Sequence, residues 1–257
     1  MISFAGGLLD PNRWSTLENC VCLAAIPSSN ALAREVIELY FDEGLDLLTT
    51  VFASESQPGA YGRNARSWQA PPGQGIYVTI MRPASAGEPL SLVPIAVARW
   101  ARAVLAEQTG AAISLKWPND LYVGRRKVGG VIAESRTQGD ETCLAVGIGI
   151  NVLGRADALG VPGATTLEEE AGRGLALTPL LQAVLDRIDR ELGAPRWSEE
   201  VREWELVAAH RPGDRMTVRR NGDEVSGAYL GLDPSGFLRL ETDAGETTVA
   251  TGEVAAW

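Results

Sequence analysis

The chain has 257 residues, 45% of them hydrophobic, and a formal net charge of −10. This length fits one large domain, or one domain with a small appendage, and provides enough apolar residues for a sizeable core. The negative charge argues against broad binding to nucleic acid or to a membrane surface, both of which prefer a basic protein face. The sequence shows no signal peptide and no stretch near the roughly 20 apolar residues of a spanning helix, so we expect a cytoplasmic protein.

Few residues are available for metal or redox chemistry. Cys20, Cys22 and Cys143 are odd in number and sparse, which is typical of reduced, mostly buried thiols in a cytoplasmic protein. Cys20 and Cys22 are spaced to share one face of a strand. The single histidine, His210, excludes a His-ligated metal centre, and its position before Arg211-Pro-Gly predicts a surface residue.

The first third of the chain predicts a helix, a strand and a long loop. Ser28-Ser-Asn30 supplies the cap of a helix at residues 31–40, and Gly44 follows its end. Residues 45–53 are predicted as a buried strand. Residues 54–75 form a Gly-rich, polar loop of a length that is usually functional or disordered, and we expect it to order when a ligand binds.

The remaining elements follow in a regular order. We predict a strand at 76–81, a helix at 92–108, an antiparallel meander over 113–152, and helices at 179–192 and 199–209. A boundary at residue 211 separates a domain of residues 1–211 from one of residues 212–257. The second contains short strands with turns at Asn221-Gly222, Asp233-Pro-Ser-Gly236 and Asp243-Ala-Gly245, which predicts a small β-barrel of SH3-like size.

Lysine is almost absent from this chain. Of its 23 lysines and arginines only Lys116 and Lys127 are lysines, and both lie in one segment punctuated by glycine and proline. A lysine carries a compact charge on a flexible stem and is suited to reaching a phosphate. Chance retention is the alternative, but the neighbouring motifs favour a function.

Two further segments carry candidate ligand-binding residues. In the loop, Arg63 and Arg66 are suited to bind a carboxylate or phosphate, and Trp68 offers a flat face for a ring. A mobile surface loop with incidental arginines explains this segment equally well on its own. In Gly147-Ile-Gly-Ile-Asn151, alternate glycines leave room for another group to lie across a strand, although glycines also mark bulges.

Taken in chain order, these motifs resemble those of the biotin–protein ligases. The resemblance is strong over about residues 25–152 and looser in the C-terminal β region. The Lys116-Trp-Pro-Asn-Asp120 element followed by Lys127 is the most specific part. In the loop, Ala60 and Ala65 replace glycines of the family pattern, and Tyr61 replaces an arginine. The resemblance implies an α+β fold, with a mixed β-sheet flanked by helices and an SH3-like C-terminal β-barrel. The short segment before Ser28 leads us to expect the monofunctional type without an N-terminal DNA-binding domain.

The family's reaction implies roles for individual residues. Biotin and ATP would give biotinyl-5′-AMP with Mg²⁺, and the biotin would pass to a lysine of the biotin carboxyl carrier domain of an acyl-CoA carboxylase. The biotin site would comprise Ser28, Ser29, Asn30, Gln57, Tyr61, Gly62, Arg63 and Lys127. The ATP site would comprise Arg66, Trp68, Asn119, Asp120, Lys127 and Asn151. Lys127, Arg63 and Lys116 would be catalytic, and Asp120 would hold Mg²⁺ or serve as a turn residue.

Two alternative functions remain open from the sequence. One is a lipoate–protein ligase, which shares the adenylation logic, although the Lys-Trp-Pro-Asn-Asp element favours biotin. The other is a non-catalytic biotin-binding protein. An exposed edge strand would allow pairing with the carrier domain or with a second copy of the chain. No nucleic acid or membrane partner is expected.

Overall fold

A computed structural model describes residues 1–63, 66–69, 71–220 and 222–257. Ala65 and the first residue of the predicted Asn221-Gly222 turn lie outside the described residues. The described strands are β1 (Ile2–Phe4), β2 (Gly7–Leu9), β3 (Asn19–Leu23), β4 (Thr50–Ser54), β5 (Gly75–Pro83), β6 (Ile113–Lys116), β7 (Asp120–Val123), β8 (Arg126–Gln138), β9 (Glu141–Asn151), β10 (Arg215–Arg220), β11 (Asp223–Leu232), β12 (Leu238–Thr242), β13 (Gly245–Val249) and β14 (Glu253–Ala256). The helices are α1 (Ser29–Glu43), α2 (Val93–Thr109), α3 (Leu167–Ala171), α4 (Leu177–Gly193) and α5 (Trp197–Glu205).

The main sheet is mixed and has seven strands in the order β3-β4-β5-β9-β8-β7-β6. Only the β3–β4 pair is parallel, and the others are antiparallel. Strands β6 to β9 form the predicted meander. The predicted α+β fold, a mixed sheet flanked by helices, is confirmed. On β3 the thiols of Cys20 and Cys22 share one face, as expected, with their sulfur atoms 3.8 Å apart.

Helices cover both faces of this sheet because its strands alternate their side chains. Phe52 and Met81 pack with Ala33 and Ile37 of α1 in one buried cluster. Their neighbours in the strands, such as Val51, point the other way into the larger core that includes α2 and α4. The central strands therefore contribute apolar side chains to two cores.

Helix α1, Ser29–Glu43, starts two residues before the predicted range of 31–40 and ends just before Gly44, as predicted. The Ser28 side chain accepts a hydrogen bond from the Ala31 amide at 3.3 Å, and Gly44 follows the helix with a φ of 62°. A left-handed residue after a helix is commonly glycine because it has no Cβ. This capping fixes the start of α1, and Ser28, Ser29 and Asn30 lie there in buried positions.

The C-terminal sheet is antiparallel, with the strand order β13-β12-β11-β10-β14. This agrees with the predicted small SH3-like β domain. It contacts the first sheet directly: Trp117 donates its indole hydrogen to the Gly236 carbonyl at 3.0 Å. The Leu115 amide of β6 donates to the Val207 carbonyl at 2.9 Å. The segment that follows α5 therefore covers the β6 edge of the main sheet.

Two expectations about the fold are wrong. Residues 45–49 are not a strand. Strand β4 begins at Thr50 because β3 begins opposite it at Asn19, so the preceding residues have no strand to pair with on that side. His210 is not at the surface but 1% exposed. Its ring packs edge to face against Tyr229 and Trp257, with centroids 5.8 and 4.9 Å away.

Candidate active site

A cavity of about 260 Å³ lies where the long loop, the start of α1, the meander and β14 meet. Strands β5, β8 and β9 form its floor. Its lining includes every predicted site residue except Asn151, namely Ser28, Ser29, Asn30, Gln57, Tyr61, Gly62, Arg63, Arg66, Trp68, Lys116, Asn119, Asp120 and Lys127. The predicted residues that line the cavity thus lie up to 99 positions apart in sequence, from Ser28 to Lys127. Their individual roles remain predictions.

One end of the cavity is lined by neutral polar groups that are already hydrogen-bonded to one another. The Ser29 hydroxyl lies 2.7 Å from that of Thr79, and Thr79 donates to Asn30 Oδ1 at 2.6 Å. The Ser29 amide donates to Gln57 Oε1 at 2.9 Å, and Gln57 Nε2 donates to the Tyr77 carbonyl at 3.2 Å. Such a network fixes each side chain, and its orientation suits recognition of an uncharged polar ring.

Lys127 reaches the other end of the cavity from β8. Its Nζ lies 2.6 Å from Asp120 Oδ1 and 5.6 Å from the centroid of the Trp68 ring. Gly130 leaves the space for this pair, since an added Cβ would lie 2.9 Å from Asp120 Oδ1. The Lys127 ammonium is thus positioned by a carboxylate and an indole face, in contact with the cavity.

Lys116 is held differently. Its Nζ lies 3.5 Å from the Tyr122 hydroxyl and 5.2 Å from the centre of that ring, and it forms no ion pair with the described acidic residues. Burial lowers the pKa of Lys116, and the nearby Lys127 charge acts in the same direction, while Asp120 opposes both. Trp257 packs edge to face on Tyr122, with ring centroids 5.9 Å apart. The C-terminal sheet therefore supports the ring that holds Lys116.

The long loop brings two arginines to the same end. Burial lowers the pKa of Arg63, opposed by the charges of Asp120 and Glu253. Arg66 forms an ion pair with Glu253 of β14. Arg63, Arg66, Lys116 and Lys127 therefore face two carboxylates, Asp120 and Glu253, among the cavity-lining residues. The excess of positive charge favours the binding of an anion.

The two predicted asparagines have partners in the protein backbone. Asn119 donates to the Val131 carbonyl, and Asn151 Nδ2 donates to the Thr165 carbonyl at 3.1 Å. Asn151 does not line the cavity, although its Oδ1 is buried without a hydrogen-bond partner among the described residues. Direct contact of Asn151 with a nucleotide remains a prediction.

The alternate glycines of β9 leave room for groups that cross the strand, as their spacing suggests. A Cβ at Gly147 would overlap Asn30 Oδ1, and one at Gly149 would lie 3.0 Å from Trp68 Cε2. Trp68 thus lies directly against the strand at Gly149, and its Nε1 is buried without a partner among the described residues. An indole held this way presents a flat surface to a heterocyclic ring.

Several residues of this site were not found from the sequence. Thr79 and Tyr77 complete the polar network, Tyr122 holds Lys116, and Glu253 pairs with Arg66. No local pattern signals them, because each acts through a contact between distant segments. Glu134 of β8 was not predicted as a site residue either, and it accepts a hydrogen bond from the Tyr61 hydroxyl.

The site offers limited ligands for a metal ion. Across residues 1–63, 66–69, 71–220 and 222–257, no group of three or more His, Cys, Asp or Glu side chains is arranged to hold one. Asp120 supplies one carboxylate beside the cations. A single carboxylate suits Mg²⁺ that is bound mainly through substrate phosphates and water.

This fold and this pocket define a class of protein, the ligases that activate a carboxylic acid. The Biotin/lipoate A/B protein ligase family model matches residues 38–151, and the Biotin protein ligase C terminal domain model matches residues 213–257. The chain belongs to the biotin protein ligase family, as its motifs predicted.

Known relatives resemble the chain over most of its length. A biotin–[acetyl-CoA-carboxylase] ligase of Paracoccus denitrificans is 34% identical, with 90% of this chain and 98% of that protein covered. The bifunctional ligase/repressor BirA of Escherichia coli is 30% identical, with 74% and 61% covered. The solved biotin protein ligase from Aquifex aeolicus in complex with biotin and ATP has a TM-score of 0.76 at 26% identity, with 93% and 98% covered.

Proposed function

We propose that this chain is an ATP-dependent biotin–protein ligase that makes biotinyl-5′-AMP and transfers biotin to a lysine of a biotin carboxyl carrier domain. The observation that carries the proposal is the polarity of one cavity. A neutral hydrogen-bonding network lines one end, and four cations facing two carboxylates line the other. This arrangement suits a ureido ring at the first end and the carboxylate and phosphates at the second.

In the first step, a biotin carboxylate oxygen attacks the α-phosphorus of ATP. An oxygen–phosphorus bond forms, the bond to the β-phosphate oxygen breaks, and pyrophosphate leaves with that electron pair. Two anions must approach each other, so fixed positive charge is the main requirement. Lys127 and Arg63 would bridge carboxylate and α-phosphate, and Lys116 would be the second ammonium at the phosphates; that all three line the cavity supports these roles.

In the second step, the amine of the acceptor lysine attacks the carbonyl carbon of the mixed anhydride. A carbon–nitrogen bond forms, the carbon–oxygen bond to phosphate breaks, and AMP leaves while the amine loses a proton. The anhydride is also open to attack by water. Tyr61, Arg63 and Trp68 of the loop line the cavity and would help to exclude water during this interval.

Trp68 and Asp120 would serve the nucleotide. Trp68 lies against β9 and would stack on adenine, beside Arg66. Asp120 would hold Mg²⁺ that arrives with ATP. The metal ion would then replace the Lys127 ammonium as the partner of the Asp120 carboxylate. Bound Mg²⁺ would neutralise phosphate charge and orient the leaving pyrophosphate.

The acceptor would be the carrier domain of an acyl-CoA carboxylase. Strand β3 is an edge of the main sheet within the described residues, and Val21 on it is 38% exposed. This edge is suited to pair with the carrier or with a second copy of the chain, as a homodimer. The net charge of −10 makes nucleic acid and anionic membranes poor partners.

We place the reaction in the cytoplasm, where carboxylases need biotin. The three cysteines carry free thiols, which suits a reducing compartment. Within the described residues, the helices are too short or too polar to cross a membrane. We further propose that residues 1–211 form the catalytic domain and residues 212–257 the small β domain, a division supported by the two separate sheets.

Transfer of labelled biotin to a purified carrier domain tests this function. We expect labelled carrier only with ATP and Mg²⁺, and one pyrophosphate per biotin transferred. Lipoate is the control acid, because the related ligases adenylate it. Pyrophosphate release with lipoate but not with biotin would contradict the proposal, as would biotin binding without any pyrophosphate release.

A further inference from the structure

Glu134 joins three separate segments beside the cavity. Tyr61 of the loop donates its hydroxyl hydrogen to Glu134 Oε2 at 2.9 Å, and Asn30 Nδ2 donates to the same oxygen at 2.9 Å. Arg34 of α1 lies 3.9 Å from the other carboxylate oxygen. One carboxylate on β8 therefore connects the loop, the start of α1 and the sheet.

Glu134 itself does not line the cavity, whereas both of its hydrogen-bond partners, Tyr61 and Asn30, do. Its side chain is 26% exposed, so the carboxylate is only partly solvated. A group in this position acts on a substrate through the residues that it orients. Glu134 is thus a positioning residue for any ligand in the cavity.

The contacts of Glu134 depend on Tyr61 being a tyrosine. The family's loop pattern has an arginine at this position. In this chain the bond is made by a neutral phenol, and burial together with Glu134 raises the pKa of Tyr61 to about 12. Arg34 places a positive charge beside this pair, with its guanidinium carbon 5.9 Å from the centroid of the Tyr61 ring.

Other described parts of the loop make further contacts. Arg66 pairs with Glu253, but the two side chains are 61% and 39% exposed. Exposed ion pairs contribute little to stability because water and salt screen them. The Gly59 amide donates to the Pro27 carbonyl at 2.8 Å at the base of the loop. Gln57, near the start of the loop, is bonded to Ser29 and to the Tyr77 carbonyl. Beyond Gln57, the bond from Tyr61 to Glu134 is a second side-chain contact that holds the described part of the loop at the polar end of the cavity.

We propose that Glu134 is a latch: through Tyr61 it keeps the loop closed over the cavity, and through Asn30 it aligns the polar network, so that the acyl-adenylate is retained until the acceptor lysine arrives. This inference rests on the proposed ligase function. Opening the loop would let biotinyl-5′-AMP escape or meet water, which yields biotin and AMP without transfer. The expected defect is a loss of coupling between the two steps.

The test compares pyrophosphate released with biotin transferred to the carrier domain. In the parent this ratio is near one. In Glu134→Ala and in Tyr61→Phe we expect it to rise on the order of five-fold, the factor typical for loss of one hydrogen bond, with free biotinyl-5′-AMP detectable in solution. Glu134→Gln keeps an oxygen that accepts both bonds, so it would restore most of the coupling.

Glu38→Ala is the matched control, since Glu38 also lies near a basic partner, Arg136 at 3.9 Å, but on the exposed side of α1. The ratio of pyrophosphate to transferred biotin stays at the parental value in Glu38→Ala.

Tyr61→Phe removes a single oxygen atom, so it reports on the latch even where Glu134→Ala folds poorly. A parental ratio in Tyr61→Phe would overturn the inference while transfer by the parent still supports the ligase. Absence of transfer by the parent would instead contradict the function.

Discussion

At the scale of single residues, the two lysines are held by partners of opposite character. Lys127 lies against the Asp120 carboxylate, which neutralises much of its charge until a stronger anion arrives. Lys116 lies against the Tyr122 ring, which attracts a cation without neutralising it. Arginine pairs with carboxylates and stacks on aromatic rings at least as well, so these partners alone do not account for the two lysines. The compact ammonium, suited to reaching a phosphate, is the physical reason we give for lysine at these positions.

Removal of the Lys127 ammonium tests this assignment. We expect Lys127→Ala to slow biotin-dependent pyrophosphate release by about 10²- to 10³-fold, because a fixed cation in a desolvated site contributes a few kcal/mol to the transition state. Arg126→Ala is the matched control, since Arg126 is adjacent but pairs at the surface with Glu169 and Glu170. A Lys127→Ala enzyme with the parental rate would refute the role.

A site residue could be predicted from the sequence where it belongs to a local motif, and not where its role depends on a contact with a distant segment. Lys116, Lys127, Arg63 and Trp68 occur in motifs with specific spacing, and the structure brings all four to one cavity. Tyr122 and the other unpredicted residues carry no such signal, since a tyrosine on a strand is ordinary until its neighbour across the sheet is known. Pairing between distant segments is information that a local pattern does not contain.

At the scale of elements, we propose that strand β9 divides the cavity between biotin and ATP. Gly147 leaves space for Asn30 at the polar end, and Gly149 leaves space for Trp68 at the cationic end. We expect Gly147→Ala to raise the KM for biotin by about ten-fold, because the methyl group displaces Asn30 from a buried network. Gly149→Ala would raise the KM for ATP by a smaller factor, since Trp68 is on a loop that can shift.

Steady-state kinetics with each substrate varied in turn would measure both effects. The two variants serve as controls for each other, because they add the same methyl group to one strand two residues apart. Equal changes in both constants for both variants would contradict the division and point to general damage to β9.

Secondary structure was predicted well where the signals are local. Helix α1 matches its capping residues, and α2 lies within one residue of its predicted ends. The predicted strand at residues 45–49 is wrong because a strand needs a partner, and β3 pairs only with residues from Thr50 onward. The hairpin of β1 and β2 went unpredicted, since three-residue strands are too short to show a period.

At the scale of the whole molecule, His210 lies where the chain passes from α5 to the C-terminal sheet. Burial lowers the pKa of His210 to about 4, and the charges of Lys116 and Arg211 act in the same direction against Asp214. The folded state therefore binds fewer protons than the unfolded state between about pH 6.5 and pH 4. Stability contributed by the neutral ring is complete above this window and is lost as the pH falls through it.

We expect the parent to lose up to about 3 kcal/mol of unfolding free energy through this group on acidification to pH 4. His210→Phe keeps an aromatic ring against Trp257 and Tyr229 but cannot take up a proton. Denaturant unfolding of both proteins between pH 7 and pH 4.5 measures the difference. Parallel loss of stability in the two proteins would show that His210 does not titrate on unfolding.

The small group of cations lies inside a body whose formal charge is −10. At a distance, ATP and the biotin anion meet net repulsion, and attraction takes over only within the mouth of the cavity. Physiological salt screens charges beyond about 8 Å but affects contacts inside a partly buried site much less. Adding salt to a dilute buffer would then speed the arrival of nucleotide and leave its residence time nearly constant, the reverse of what a positively charged enzyme shows toward the same ligand.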